Sequence, residues 1–129
     1  QIINKPKSVF VSSFILGNNI LQLSFDNKKL TSALGTILIE DLSNIKNVDY
    51  LSISPKSFSL KESTRGKATV MAKEFLGEYF IYKVRIFDID LRIRTSINQN
   101  IKLGEKCEIS IIRGSKVFLF PGGFKRKIA

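Results

Sequence analysis

The sequence predicts an all-β fold of two similar β modules in tandem, sharing one core and preceded by a short helix. Short runs rich in Ile, Val, Phe and Tyr recur at roughly 8–12-residue spacing between turn residues, which is typical of a small barrel or sandwich. The chain also repeats itself weakly. With 129 residues in total, each repeat would be marginally stable alone, so we expect the two to complete each other's core.

Residues 1–17 differ from the rest of the chain. Val9, Phe10, Phe14 and Ile15 recur with the spacing of one helix face, and Pro6 suits a first helical turn. We therefore expect a short linker helix that ends near Gly17, where glycine can adopt the left-handed cap.

Beyond Gly17 the pattern becomes strand-like. The predicted strands, which number about eight to ten in all, include 21–25, 50–53, 58–60, 68–76, 81–87, 91–95, 107–112 and 117–120. Pro121-Gly122-Gly123 then interrupts the pattern, and residues 122–129 read as a flexible basic tail.

The repeat is visible in three places. Residues 14–21 resemble 74–81, a turn at Asp26 matches one at Asp88, and 51–56 resemble 109–114. The polar segment 61–66 lies between the two copies, and we interpret it as the joint.

Charge and cysteine content restrict the function only weakly. The net charge is +10, from 21 Lys+Arg against 11 Asp+Glu, which favours polyanionic partners without choosing among nucleic acid, lipid and acidic protein. One cysteine excludes an internal disulfide and suits a reducing compartment. Neither a membrane span nor an export signal is indicated.

The residues needed for common chemistries are missing. Gly66-Lys67 is followed by Ala68, where the motif needs Ser or Thr, so the phosphate-binding loop G-x-x-x-x-G-K-[ST] is not formed. Histidine is absent, which excludes a His-dependent triad, and one cysteine cannot build a thiolate zinc site. We therefore expect no catalytic, cofactor or metal site in this chain.

Three residues admit a second interpretation. Asp88 and Asp90 could bind a cation, but their place beside Ile89 favours a hairpin turn. Cys107 could be a reactive thiol, but it is in phase with Ile109 and Ile111 and is expected to face the core.

The strongest charge feature is a predicted hairpin with four cations, Lys83, Arg85, Arg92 and Arg94, on one face. Alternation places Val84, Ile86, Leu91 and Ile93 on the other. The cations could bind an oxyanion or nucleic acid, but we favour a solvated face offset by Glu74, Glu78, Glu105 and Glu108. Tyr79, Phe80 and Tyr82 could stack on bases, or belong to a core or dimer interface.

Four ordered stretches resemble an ABC-transporter ATPase. Residues 6–19 resemble P-x-x-x-F-V-A-x-F-[LI]-G-x-x-N, the segment that joins the nucleotide-binding domain to its accessory domain. Residues 51–56 resemble a strand end with I-R-P-E, although Ser54 and Lys56 replace the usual Arg and Glu. Residues 66–77 and 113–121 resemble the G-x-V…[FY]-L-G opening and G-x-x-x-x-F-P closing of the second repeat. The matching positions include Phe14, Gly17, Asn19, Pro55, Lys56, Gly77, Gly104, Gly114 and Pro121.

The resemblance implies that residues 18–121 are a tandem TOBE, or MOP-like, region of two intertwined OB-type barrels. Such a region serves regulation and dimerisation, so a homodimer is expected. The parent subunit would hydrolyse ATP with Mg²⁺ in a domain before Gln1 and energise import, with ferric-iron and spermidine/putrescine importers closest in pattern. It would lie in the cytoplasm on the inner membrane face, bound to permease subunits.

Two other function classes stay open. One is a stand-alone, basic OB-fold module that binds nucleic acid, suggested by the charge and the cationic hairpin. The other is an oxyanion-binding domain of the molybdate type, which ranks last because the binding loops of that family are not found here.

Overall fold

The computed structural model describes residues 17–129, and within that range every regular element except one 3-10 turn is a β-strand. The strands form three antiparallel sheets, so the predicted all-β class is confirmed. The expected amino-terminal helix lies outside the described residues, apart from Gly17. In chain order the strands are β1 (Asn19–Gln22), β2 (Ser24–Asp26), β3 (Lys29–Ser32), β4 (Gly35–Ile37), β5 (Tyr50–Ile53), β6 (Phe58–Glu62), β7 (Ala68–Phe75), β8 (Tyr79–Ile86), β9 (Ile89–Ser96), β10 (Lys106–Ile111), β11 (Lys116–Phe120) and β12 (Phe124–Lys127), and the 3-10 turn spans Pro55–Ser57.

The strands divide between two compact units. The described part of the first unit consists of residues 17–54 and 112–129, whereas the second is the continuous stretch Pro55–Ile111. The first unit therefore takes its strands from both ends of the sequence.

The second unit is one five-stranded sheet in the order β6-β10-β7-β8-β9. Its inner face buries a continuous set of apolar side chains because every second residue of each strand points to the same side. The edge strands β6 and β9 also approach each other. In the sheet, β6 is hydrogen-bonded to β10 and β9 is hydrogen-bonded to β8. Fully buried members of this core are Ala68, Val70, Tyr82, Val84, Leu91, Ile93 and Cys107.

The first unit contains a four-stranded sheet, β1-β5-β11-β12, and a three-stranded sheet, β2-β3-β4. The central strand β5 is buried on both faces, since Leu51, Ser52 and Ile53 are all 0% exposed. Ser52 is accommodated there because its hydroxyl accepts a hydrogen bond from the Asn18 side chain at 3.0 Å.

The backbone supports the internal repeat. Gly17 and Gly77 precede the matching strands with φ of 67° and 93°, values that glycine adopts at little cost. Two-residue turns then join β2 to β3 and β8 to β9, and their first residues, Asn27 and Phe87, have φ of 50° and 55°. The two copies therefore share an unusual backbone conformation at equivalent positions.

The two repeats exchange strands. Four residues separate β5 from β6, and four residues separate β10 from β11. By this correspondence, β6 is the last strand of the first repeat and β11 is the last strand of the second. Yet β6 pairs with β10 of the second repeat, and β11 pairs with β5 of the first. The segment 61–66, expected to be the joint, instead ends β6 and leads into β7 inside the second unit. Its polarity reflects an exposed connection between strands.

The carboxyl terminus differs from the expected flexible tail. Phe124–Lys127 forms β12, which pairs with β11, and Ile128 is buried and bridges Ile39. In β12 the exposed residues Lys125 and Lys127 alternate with the partly buried residues Phe124 and Arg126, and this period-2 pattern is typical of an edge strand. The charge run had concealed that alternation.

Candidate functional site

The hairpin of β8 and β9 has the predicted division into two faces. Val84, Ile86, Leu91 and Ile93 are buried, whereas Lys83, Arg85, Arg92 and Arg94 are exposed. Both strands have eight residues and pair along their whole length. The four cations are therefore held at fixed spacing on a regular sheet surface.

Asp90 lies among these cations. It stands directly opposite Arg85, and its carboxylate accepts two hydrogen bonds from the guanidinium, at 2.8 Å to Nε and 3.2 Å to the terminal nitrogen. Lys83 Nζ lies 3.7 Å from the same carboxylate. The hydrogen bond from Arg85 lowers the pKa of Asp90, and the reciprocal hydrogen bond raises the pKa of Arg85.

This role of Asp90 was missed at the sequence level. The structure confirms that Asp88 occupies the turn, but Asp90 is already in β9. Its position opposite a cation could have been found by counting back from the two-residue turn, because hairpin register follows from the loop length.

Of the expected counter-ions, Glu74 and Glu108 lie on the outer face of the sheet with the cations, whereas Glu105 lies in the turn before β10. The Glu105 carboxylate accepts a hydrogen bond from the Lys102 backbone N–H at 2.8 Å. A hydrogen bond between the carboxyl groups of Glu62 and Glu105, in which Glu62 holds the proton, raises the pKa of Glu62 and lowers the pKa of Glu105. Glu108 stands opposite Lys61 on β6.

The three aromatic residues have separate roles. Tyr82 is fully buried; its hydroxyl donates to the Gln99 carbonyl at 2.9 Å and accepts from the Ile101 N–H at 3.0 Å. Phe80 is half-buried, with Lys73 Nζ 4.7 Å from the centre of its ring. Tyr79 lies on the outer face, where the Arg94 guanidinium covers its ring at 3.7 Å. Core packing therefore accounts for Tyr82, and Tyr79 belongs to the cationic face.

The turn of the hairpin carries an exposed aromatic residue. Phe87 is 63% exposed and has φ of 55°, a left-handed conformation that is costly for a bulky side chain. The first repeat has Asn27 at the equivalent position, where asparagine is among the residues that tolerate this conformation. Neither local backbone preference nor burial explains a phenylalanine at this turn.

Cys107 is confirmed as a core residue. It is 0% exposed, its thiol donates to the Ala68 carbonyl at 3.8 Å, and burial raises its pKa. Gly66 packs directly against its backbone, and a Cβ at position 66 would overlap the carbonyl group of Cys107. Close packing between two strands thus explains the glycine of the Gly66-Lys67 pair.

The carboxyl-terminal strand contains a structural cation. Arg126 donates from Nε to the Asp41 carbonyl at 2.8 Å and from a terminal nitrogen to the Ser43 carbonyl at 2.9 Å. The Asp41 carboxylate in turn accepts from the Ser43 N–H at 2.9 Å, and hydrogen bonding to Ser43 lowers its pKa. Arg126 therefore holds the 41–43 loop against β12.

The positions matched in the family resemblance lie at strand ends and turns. Pro55 and Lys56 form the 3-10 turn, Asn19 is buried in β1, and Pro121 follows β11. Gly104 and Gly114 lie in the turns that precede β10 and β11, while Phe14 is outside the described residues. These residues therefore shape the connections and the ends of the strands.

Among residues 17–129, no group of three or more Cys, Asp or Glu side chains is arranged to hold a metal ion. The same range contains no helix with the length and apolarity needed to cross a membrane.

The comparisons with known proteins add no assignment. Neither the family models nor the curated proteins include a match to this chain.

Proposed function

We propose that this chain is the accessory region of an ABC-importer ATPase subunit and acts in dimerisation and regulation. ATP hydrolysis belongs to a nucleotide-binding domain encoded before Gln1, and the parent subunit energises import of a solute such as ferric iron or a polyamine. The subunit is cytoplasmic and is held at the inner membrane face by its permease partners.

The observation that carries this proposal is the reciprocal strand exchange. β6 of the first repeat completes the sheet of the second, and β11 of the second completes the sheet of the first. Intertwined modules of this kind are what the ordered motifs from Pro6 to Pro121 imply. A free-standing pair of domains has no need to exchange strands, since each could close with its own residues.

We infer further that each unit is a module of the OB type, a five-stranded and partly open Greek-key barrel. In support, the second unit has five strands, and its edge strands β6 and β9 approach each other. If β7, β8, β9, β10 and the donated β6 are numbered 1 to 5, the order of neighbouring strands around the sheet is 1-2-3-5-4, which is the cyclic order of such a barrel. That the two modules share one interior stays a prediction.

The chain works as a scaffold in this proposal. Gly66-Lys67 is used for packing against Cys107, the thiol of Cys107 is enclosed, and the motif residues shape turns. ATP and Mg²⁺ are ligands of the domain before Gln1.

Two experiments test the proposal. Sequencing the codons before Gln1 is expected to reveal a phosphate-binding loop and the ABC signature in frame; an unrelated domain or a start codon at that point would contradict the importer assignment. Sedimentation equilibrium of the chain is expected to show a homodimer, and a monomer at high micromolar concentration would contradict the dimerisation role.

A basic OB-fold module for nucleic acid is the second candidate. It is favoured by one observation, the placement of Lys83, Arg85, Arg92 and Arg94 on β8 and β9, the strands that correspond to the second and third of an OB barrel, whose face binds oligonucleotides. Submicromolar, sequence-selective binding at physiological salt would promote this candidate over the importer assignment.

A further inference from the structure

The outer face of the second unit carries more cations than carboxylates. Strand register and alternation place six cations and three carboxylates on this face. The cations are Lys61, Lys83, Arg85, Arg92, Arg94 and Lys106, and the carboxylates are Glu74, Asp90 and Glu108. Lys83 and Arg92 stand directly opposite each other, which concentrates positive charge at the middle of the hairpin.

The face already shows how it holds a carboxylate. Arg85 grips Asp90 through two parallel hydrogen bonds, which is the bidentate geometry that guanidinium groups offer to carboxylates. Three of the four hairpin cations are arginines, and arginine on a rigid strand loses less freedom on binding than lysine does.

An aromatic side chain adjoins these cations. Phe87 lies in the turn, two residues after Arg85, is 63% exposed, and has the left-handed backbone conformation that Asn27 has at the equivalent position of the first repeat. Exposed strain of this kind indicates a functional demand. Arginine and aromatic residues together are the composition that protein interfaces favour.

We propose that the outer face of β8 and β9, with Phe87 at its end, docks an acidic segment of a protein partner. Carboxylates of that segment pair with Arg92, Arg94 and Lys83, and an apolar side chain contacts Phe87. The inference is independent of the importer proposal, because it concerns only this surface.

Other polyanions fit the face less well. Single-stranded nucleic acid binds by stacking successive bases on open aromatic rings. Phe87 offers one such ring, whereas the ring of Tyr79 is covered by Arg94 and Tyr82 is buried. A lipid surface rewards a broad apolar area, whereas Tyr79 and Ile81 on this face are only half-exposed.

The test compares three labelled probes on the full chain: a peptide of alternating glutamate and glycine with one central leucine, an oligothymidylate, and vesicles of anionic phospholipid. The variant is Lys83→Glu with Arg92→Glu. Its control, Lys46→Glu with Arg65→Glu, makes the same change in net charge at exposed positions outside the strands of this face. Circular dichroism checks that both variants keep the fold.

We expect the peptide to bind, and the hairpin variant to weaken that binding by about tenfold or more relative to the control. Equal loss in both variants would reduce the effect to net charge and overturn the proposal. Tighter, hairpin-dependent binding of the oligonucleotide or of the vesicles would overturn it in favour of that ligand.

A second variant separates docking from folding. Phe87→Asn installs the residue that the first repeat uses at this turn and is expected to retain or raise the stability of the chain, since asparagine tolerates positive φ. It should nevertheless weaken peptide binding severalfold. Unchanged affinity would show that the aromatic residue has no part in the interface.

Discussion

Two interior strands, β5 of the first unit and β10 of the second, show how one sequence pattern serves two environments. Both contain an Ile/Leu-Ser-Ile sequence, at 51–53 and 109–111. In β5 all three residues are fully buried, whereas in β10 Ser110 is exposed and Ile109 is only half-buried. The first unit thus encloses its central strand on both faces, while the second leaves one sheet face in water and available for binding.

The strands that precede the two hairpin turns also differ in regularity between the two units. β8 runs unbroken from Tyr79 to Ile86, but its counterpart is divided into β1 and β2 at Leu23. Leu23 is buried and its N–H donates to the Asp49 carbonyl at 2.7 Å, which separates the pairing of β1 with β5 from that of β2 with β3. A broken strand bends around a core, and an unbroken one provides a regular surface.

The largest expected effect is specific to the second unit. Gly66→Ala would push a Cβ into the Cys107 carbonyl, and because both groups belong to backbone segments the strain should cost about 3 kcal/mol or more of unfolding free energy. Urea denaturation measures the loss, and hydrogen exchange should locate it in β7 and β10. The control Gly77→Ala has open space but φ of 93° and should cost about 1–2 kcal/mol. Equal losses would contradict the steric explanation.

Truncations in β5 and β10 compare the two interior strands directly. Leu51→Ala removes a fully buried side chain from β5 and should cost about 3 kcal/mol. Ile109→Ala at the matching position in β10 removes a half-buried one, so its cost should be less than half as large. Urea midpoints at constant slope measure both. Similar costs would mean that the second unit is more enclosed than we describe.

The smallest expected effect concerns the exposed face. The pKa of Asp90 is lowered from its ordinary value of 3.8 by Arg85, so its ionised form stabilises the native state above that value. This contribution is lost as the pH falls through the lowered native pKa. Asp90→Asn should therefore show a shallower loss of stability on acidification than the wild-type chain, measured by urea midpoints between neutral pH and about pH 2. Parallel curves would contradict the role assigned to Asp90.

Much of the second unit could be predicted from alternation alone. Val84, Ile86, Leu91 and Ile93 followed the period-2 rule, and so did Cys107, because long antiparallel strands bury every second residue. The repeat was also readable, since turn chemistry at Asp26 and Asp88 is local.

The pairing of strands that are distant in the sequence could not be predicted from local patterns. The sequence around β6 and β11 identifies strands but not their partners, so the boundary between units was placed at 61–66 and not at Ser54 and Ile112. β12 was not predicted because three of its four residues are cations, and this charge run hid the alternation of exposed and partly buried positions. The left-handed conformation of Phe87 is a property of the backbone, which composition does not supply.

Strand exchange also affects the order in which a growing polypeptide can fold. The second unit ends at Ile111 and has all its strands once that residue has left the ribosome. The first unit begins earlier in the sequence but waits for β11 and β12, which are synthesised after the whole of the second unit. The buried strand β5 therefore lacks one neighbour until β11 has emerged, although the second unit can already be complete.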